Sequence, residues 1–475
     1  MPAAGLSPRS RIALPTLNDV QSRLNGTEVT RVVRPRTPDE VRHEIQRTMS
    51  DGLPICPAGS LHSMGGQQFA ASGVSISSSR LKGIGPLDRE NSTVWAQSGA
   101  TWPELVRWLH EYQSGFSETL SIIQKQTGAD EMTLGGALSS NIHGRVLGRR
   151  PIVADIEAFH LTDAKGERVL CSRESNPELF ALAIGGYGLF GFVDSIKLRL
   201  EPRTQMIRRV TEVQTEDVIP VLEERMREGA AYGDFQYMTD ESSKDFMARG
   251  VMSTYSPIDS QESIPRDQLG LTLEDWMRLY VLAHTDKARA YDEYAAHYLQ
   301  TDGQIYWSDD HQFSPYLPEA GEMLANRLGL ETFASLMISE LYVPRSRFPD
   351  FMREARQALL DTEANVVYGT VRLIESEDET FLRWAREDYA CVIFNLLVEH
   401  SAEGIERAKR QFRALIDCAL DQDGCYYLTY HRWARKDQVE KAYPQFSEFL
   451  ELKDKYDPGR IFTSEWHRHY VEMFA

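Results

Sequence analysis

The stretch that decides the reading of this chain is Cys56-Pro57-Ala58-Gly59-Ser60-Leu61-His62-Ser63-Met64-Gly65-Gly66-Gln67. It follows an apolar run, Leu53-Pro54-Ile55, and precedes a strand-like one, Gly73-Val74-Ser75-Ile76. Glycines, small residues and a proline make it a loop rather than the interior of an element. Such residues let backbone approach a ligand closely, and successive N–H groups can converge on an anion. The loop lacks the Lys-Ser/Thr ending of a triphosphate-binding loop and the glycine spacing of a dinucleotide fingerprint. One histidine, His62, stands at its centre. On its own, such a loop is most often an ordinary surface turn.

Two further stretches change that reading. One is Thr133-Leu134-Gly135-Gly136-Ala137-Leu138-Ser139-Ser140-Asn141-Ile142-His143-Gly144-Arg145, the other Gly185-Gly186-Tyr187-Gly188-Leu189-Phe190-Gly191-Phe192-Val193. Small-residue segments in this order resemble the FAD domain of the vanillyl-alcohol oxidase/p-cresol methylhydroxylase family. The likeness is closest to its sugar- and polyol-oxidising members, the alditol, aldonolactone and decaprenylphosphoryl-ribose oxidases. It is good over about residues 28–202 and 426–466 and poor between. The resemblance implies an α+β fold: a two-part FAD-binding domain of the p-cresol methylhydroxylase type, and an α+β cap whose antiparallel sheet covers the flavin. The expected division is 1–202 for the FAD domain, 203–425 for the cap, and 426–475 for a segment returning to the FAD domain.

Length and composition agree with two or three domains of a soluble globular protein. The chain has 475 residues, 42% of them hydrophobic and 26% charged. No apolar run reaches the ~18 residues that a membrane-spanning helix needs. The N-terminus carries Arg9 and Arg11 without the apolar core of a secretory signal. Cys56, Cys171, Cys391, Cys418 and Cys425 are scattered, which argues against a disulfide framework or zinc site and places the protein in a reducing compartment, the cytoplasm. A net charge of −18 speaks against nucleic-acid partners.

Local patterns fill in the elements. Thr30–Pro35 reads as a strand, and Thr37 as the cap of a helix that has Pro38 at its first position and runs to Ser50. A short helix is expected around Leu17–Leu24. Val74–Ser77, Val94–Ser98, Ile152–Leu161, Glu167–Cys171 and Val193–Leu200 read as strands, and helices are expected from Thr101 and Asn176. The middle offers strands at Arg208–Val213, Phe235–Met238, Val366–Ile374 and Cys391–Val398. It also offers helices at Glu216–Glu228, Leu273–Tyr298 and Ile405–Ala419, and a loop at Pro257–Gln268. Phe446, Phe449, Leu450 and Leu452 mark a late helix; Asp457-Pro458-Gly459 stops it, and a short apolar tail follows.

The resemblance also assigns roles. Residues Ala58, Gly59, Ser60, Leu61, Ser63, Met64 and Gly65 would wrap the FAD pyrophosphate, with Ser98 and Gly99 alongside. Gly135, Gly136, Ser139, Ser140, Asn141 and Gly144 would lie against the flavin, with Ile142 beside the ring, and Gly188 and Val193 near the adenine. Relatives with Gly-His-Ser at the first loop bond that histidine to the 8α-methyl of the flavin. Here Leu61 replaces the glycine, so His62 is either a covalent anchor or a histidine packed beside the ring. His143 matches a histidine at the flavin's reactive edge. Arg372, in Thr370-Val371-Arg372, matches an arginine that stabilises reduced flavin, although Thr370 stands where polyol oxidases carry an acid. Asn395 matches a polar position facing substrate; Gln236 and Tyr237 are further pocket candidates.

A base must take the hydroxyl proton as hydride leaves. Relatives place a lysine about 13 residues before the closing Tyr-Pro, here Tyr443-Pro444, where this chain has Tyr430. Its hydroxyl is a poor base unless Arg432 or His431 lowers its pKa; Lys436 or Arg435 could fill the place instead. The implied reaction is oxidation of an alcohol carbon of a sugar, polyol or lactone. Oxygen, or a quinone or protein, is the acceptor; a flavin-binding module without turnover is the alternative. No metal is expected: His467-Arg468-His469 lacks a third ligand, and Glu375–Glu379 reads as a solvated turn.

Overall fold

The computed structural model describes residues 14–259, 263–314 and 333–475. Residues 1–13, with Arg9 and Arg11, and part of the expected 257–268 loop lie outside the described residues. The fold is α+β. Three sheets organise it, and each continues the chain's local preferences.

The first is a small parallel sheet in which Val74–Ser77 lies between Arg31–Val33 and Ile55–Ala58. The helix Pro38–Ser50 connects its first two members; Thr37 accepts from the Glu40 N–H, and Val41 and Ile45 are buried beneath. Ile55–Ala58 runs directly into the loop that opened the sequence reading. The C-terminal segment returns here: Ile55 N–H donates to the Ile461 carbonyl at 2.7 Å and Thr463 N–H to the Ile55 carbonyl at 3.0 Å. A buried Lys453–Asp457 pair fixes this return, because Asp457 also accepts from the Ile461 and Phe462 N–H groups.

The second sheet is antiparallel, in the order Arg168–Ser172, Ile156–Thr162, Phe192–Pro202, Thr93–Gln97, Ile84–Asp88, with Leu120–Ile122 pairing at the end of Phe192–Pro202. Helices Trp102–Tyr112, Leu134–Ser140 and Pro177–Ala183 pack into its core. The third sheet has eight antiparallel strands. Its order is Ile305–Trp307, Gln205–Gln214, Arg249–Ile258, Tyr232–Tyr237, Val366–Ile374, Tyr389–Glu399, Ala334–Pro344, Cys425–Tyr426.

Several expectations are corrected. Residues 17–24 form no helix, because the Asp19 carboxylate captures the N–H groups of Gln21, Ser22 and Arg23 in a turn. The expected strand from Ile152 begins at Ile156, after a single 3₁₀ turn over Ile152–Asp155. The 273–298 helix is two, Leu273–Thr285 and Lys287–Gln300, broken at Asp286, whose side chain caps the second. The strand Arg249–Ile258 enters the expected loop at Pro257. Past the apolar Ile461-Phe462 the chain adds a helix that the sequence did not suggest, Glu465–Phe474, capped by Ser464. Glu377 is buried, its carboxylate accepting from the Glu379 and Thr380 N–H groups, so 375–379 is not a solvated turn.

Candidate functional site

The three sheets meet around one cavity of about 820 Å³. Ala58 to Met64 line it, as do Ser98, Gly135, Gly136, Ser139, Ser140 and His143, with Gly188 and Val193 also on its wall. The Ala58–Met64 loop and the start of the helix Leu134–Ser140 come close to their neighbours because Gly59 and Gly135 lack side chains. A Cβ on Gly59 would stand 2.3 Å from Thr133 Oγ1, and one on Gly135 2.8 Å from Ser98 Cβ. Gly65, Gly99, Asn141 and Gly144 do not line the cavity. Gly65 N–H turns to Gln67 Oε1 at 3.0 Å; a Cβ on Gly99 or Gly144 would strike the carbonyl of Ser78 or Lys125. Asn141 is the left-handed C-cap of Leu134–Ser140, and its Oδ1 accepts from the Val153 N–H at 3.2 Å. These four shape the wall from behind.

Leu61 holds φ +63°, the left-handed region that favours glycine, at the position where the resemblance expects glycine. Its carbonyl accepts from the Val20 N–H at 3.0 Å. The Gln21 side-chain amide donates to His62 Nδ1 at 2.9 Å. Burial lowers the His62 pKa to about 4, against the nearby Asp19 charge, so the ring is neutral at physiological pH.

The opposite wall is one face of the eight-stranded sheet. In the register Arg372 stands opposite Cys391, and Cys391 opposite Tyr342. Thr370 stands opposite Ile393, and Ile393 opposite Glu340. Since Phe235 pairs with Val371, the neighbouring strand places Gln236 beside Thr370 and Asp234 beside Arg372. Asn395 faces Tyr368 across the ladder and also lines the cavity. Tyr237 lies across Gly369 and donates its hydroxyl to the Ile393 carbonyl at 2.7 Å, which makes it a structural part of the wall.

Glu340 was not anticipated from sequence. It is 3% exposed and accepts from Tyr342 Oη at 2.5 Å. His143 Nδ1 faces the Gly144 carbonyl at 3.0 Å and its Nε2 faces Glu340 Oε1 at 2.5 Å. Both ring nitrogens thus face oxygen acceptors. Burial raises the Glu340 pKa, but the His143 charge and hydrogen bonds from His143 and Tyr342 outweigh it and hold the carboxylate at about 2. The sole acid in Leu336-Met337-Ile338-Ser339-Glu340-Leu341-Tyr342-Val343 is the signal that sequence reasoning passed over.

The ligand atoms of His143, Glu340 and Cys391 lie within 4.8 Å of one another. Ligand atoms on a tetrahedral zinc stand about 3.3 Å apart, so the 2.5 Å His143–Glu340 contact is a hydrogen bond rather than a metal site.

Tyr430 lies against Glu340, and burial together with that carboxylate pushes its pKa well up. The cations expected to lower it are elsewhere. Arg432 donates to the Glu465 carbonyl, and His431 packs between Phe412 and Trp433. Lys436 sits over the Phe474 ring and Arg435 pairs with Asp417 and Asp437, so neither replaces Tyr430. Arg372 donates to Thr127 Oγ1 and leaves Nε without a partner; Thr370 Oγ1, Ser98 Oγ and Gln236 Oε1 are buried without partners as well. Small-residue segments that close together, unpartnered polar groups and a volume suited to a large cofactor plus a small substrate fit FAD.

Residues 29–172 match a family model described as an FAD binding domain, and residues 328–470 one described as D-arabinono-1,4-lactone oxidase. Cytokinin dehydrogenase 6 of Oryza sativa subsp. japonica is 24% identical over 468 residues, 91% of this chain and 85% of that protein. Cytokinin dehydrogenase 4 of the same organism is 26% identical over 211 residues, 43% of this chain and 35% of that protein. Cytokinin dehydrogenase 1 of Arabidopsis thaliana is 28% identical over 171 residues, 35% of this chain and 28% of that protein. The last two matches thus span about a third of their relatives' length. No helix among the described residues is long and apolar enough to cross a membrane.

Proposed function

We propose that this chain, an FAD-linked oxidoreductase of the vanillyl-alcohol oxidase/p-cresol methylhydroxylase family, oxidises an alcohol carbon of a sugar, polyol or lactone and is reoxidised by oxygen. The FAD part comprises 1–202 and 426–475, and the cap 203–425. FAD, held by Ala58–Met64, Ser98, Gly135, Gly136, Ser139, Ser140, Gly188 and Val193, supplies the hydride acceptor. His62 carries it covalently: burial keeps the ring neutral, and the lone pair on Nδ1 would exchange its hydrogen bond from Gln21 for the bond to the flavin.

The observation that carries the reading is the polar row of the cap sheet across the cavity from those loops. Arg372 provides a fixed cation for charge that builds up beside it. Asn395 and Gln236 orient hydroxyl groups. Glu340 receives the substrate's proton, either directly or through Tyr430, which takes the hydroxyl proton as it gives its own to the carboxylate. A carboxylate of low pKa suffices, because an alcohol oxygen becomes strongly acidic as hydride leaves its carbon. His143 keeps Glu340 ionised and in place. The five free cysteines support a reducing compartment such as the cytoplasm.

Anaerobic mixing with a panel of sugars, polyols and lactones tests the proposal. Bleaching of the flavin band by one of them is expected; no bleaching by any alcohol would overturn it. The second reading, a dehydrogenase with a quinone or protein acceptor, is favoured by the relatives, which are named dehydrogenases. Admitting air separates the two: recovery of the band within seconds marks an oxidase, and flavin that stays reduced for minutes a dehydrogenase.

A further inference from the structure

We infer that the substrate carries an oxyanion, a carboxylate or a phosphate ester, held where Arg145, Arg208 and His311 meet at the far end of the cavity. The inference rests on the alcohol-oxidation reading above. All three residues line the cavity and converge on Tyr255. The Arg145 and Arg208 guanidinium carbons lie 5.2 and 5.4 Å from its ring centroid, and His311 stacks on it at 4.2 Å.

Arg208 is 7% and His311 6% exposed. Yet Nε of Arg145, Nε of Arg208 and both ring nitrogens of His311 are buried without hydrogen-bond partners. Arg208 otherwise donates to Ser253 Oγ at 3.0 Å and faces the Tyr298 ring. Asp234 stands 3.6 Å from Arg145, while the nearby Asp309 and Asp310 are held by Arg203. Among the described residues, Asp234 therefore pairs with Arg145 alone, and Arg208 has no carboxylate partner. An uncompensated buried charge is costly unless a ligand supplies its counter-ion, and two guanidinium forks suit the oxygens of a carboxylate or phosphate.

Position fixes which molecule carries the anion. The strand of Arg208 lies three places from that of Arg372 in the sheet. At about 4.8 Å per strand that is roughly 14 Å, with Arg145 and Asp234 between. The acid thus sits at the end of a sugar-sized molecule remote from the carbon that loses hydride.

Calorimetric titration of the flavin-loaded protein with D-glucuronate, glucose 6-phosphate, inorganic phosphate and glucose tests this. At least one acid is expected to bind about tenfold or more tightly than glucose, and the better of the two sugar acids identifies carboxylate or phosphate. Arg208→Gln should weaken that binding about tenfold or more and Arg208→Lys less, with flavin content unchanged. Should Arg208→Gln fail to fold, Arg145→Gln carries the same test. Equal binding of glucose and the acids, or undiminished acid binding in the foldable variants, overturns the inference. Loss of flavin from a folded Arg208→Gln also overturns it, since the arginine would then serve the cofactor. Acids that bind in a protein whose flavin no alcohol bleaches would uphold the anion site and sink the oxidation reading. Neutral polyols that bleach the flavin while acids do not bind would do the reverse.

Discussion

Glu340→Gln isolates the contact on which the proposed chemistry depends. Glutamine keeps the shape and an acceptor oxygen but removes the charge facing His143. The carboxyl is held at about 2 against an ordinary 4.5. At about 1.4 kcal/mol per pH unit, the difference is on the order of 3 kcal/mol of folded-state stability at neutral pH. The sign follows from a depressed carboxylate pKa. The stabilisation is fully present above about pH 4.5 and is lost as pH falls through about 2. Urea unfolding of wild type and variant between pH 7 and the lowest pH at which wild type stays folded reads it directly. The gap should be about 3 kcal/mol at pH 7 and should narrow steadily below pH 4.5. Flavin reduction by substrate should slow by 100-fold or so, in the range for loss of a positioned proton acceptor. A gap under about 1 kcal/mol that does not vary with pH, with reduction within twofold of wild type, would refute the reasoning.

Other perturbations address separate parts of the account. His62→Ala should leave a folded yellow protein that releases its colour on acid precipitation, where wild type retains it. Leu61→Gly removes a side chain from φ +63°; it should raise stability by up to about 1 kcal/mol without loss of flavin, and a fall in the melting temperature would contradict this. Gly369→Ala would put a Cβ 1.9 Å from the Tyr237 ring. Displacing that ring and its bond to Ile393 should cost about 2–4 kcal/mol, read as a lower urea midpoint with the flavin still bound.

What could be read from the sequence was whatever local physics decides. Thr37, Pro38 and the acids of the first turn define one helix, and Val366–Ile374 carries its strand pattern in composition alone. The loop around His62 and the segment before His143 announce themselves through small residues at a density that a core element rarely carries. The cap site was harder because it exists only in the pairing of distant strands. Glu340 meets His143 across 197 positions. Arg145, Arg208 and His311 come from three separate segments; Arg145 ends the stretch that contains His143, and the other two have no motif around them. Asp286 looked like one helical residue among many, until its side chain proved to start a new helix. The exchange of lysine for Tyr430 was visible, whereas the carboxylate beside it was not: a lone acid in an apolar strand gives no sign of which face it occupies or what awaits it there.

The central claim is that the cavity between the Ala58–Met64 loop and the cap sheet holds FAD. An absorption spectrum of the purified protein, before and after acid precipitation and tryptic digestion, tests it most directly. The account predicts a flavin spectrum, colour that stays with the pellet, and one coloured peptide containing His62. Colour released to the supernatant would keep the FAD site and remove the covalent anchor. A colourless protein that takes up no added FAD would contradict the account at its root.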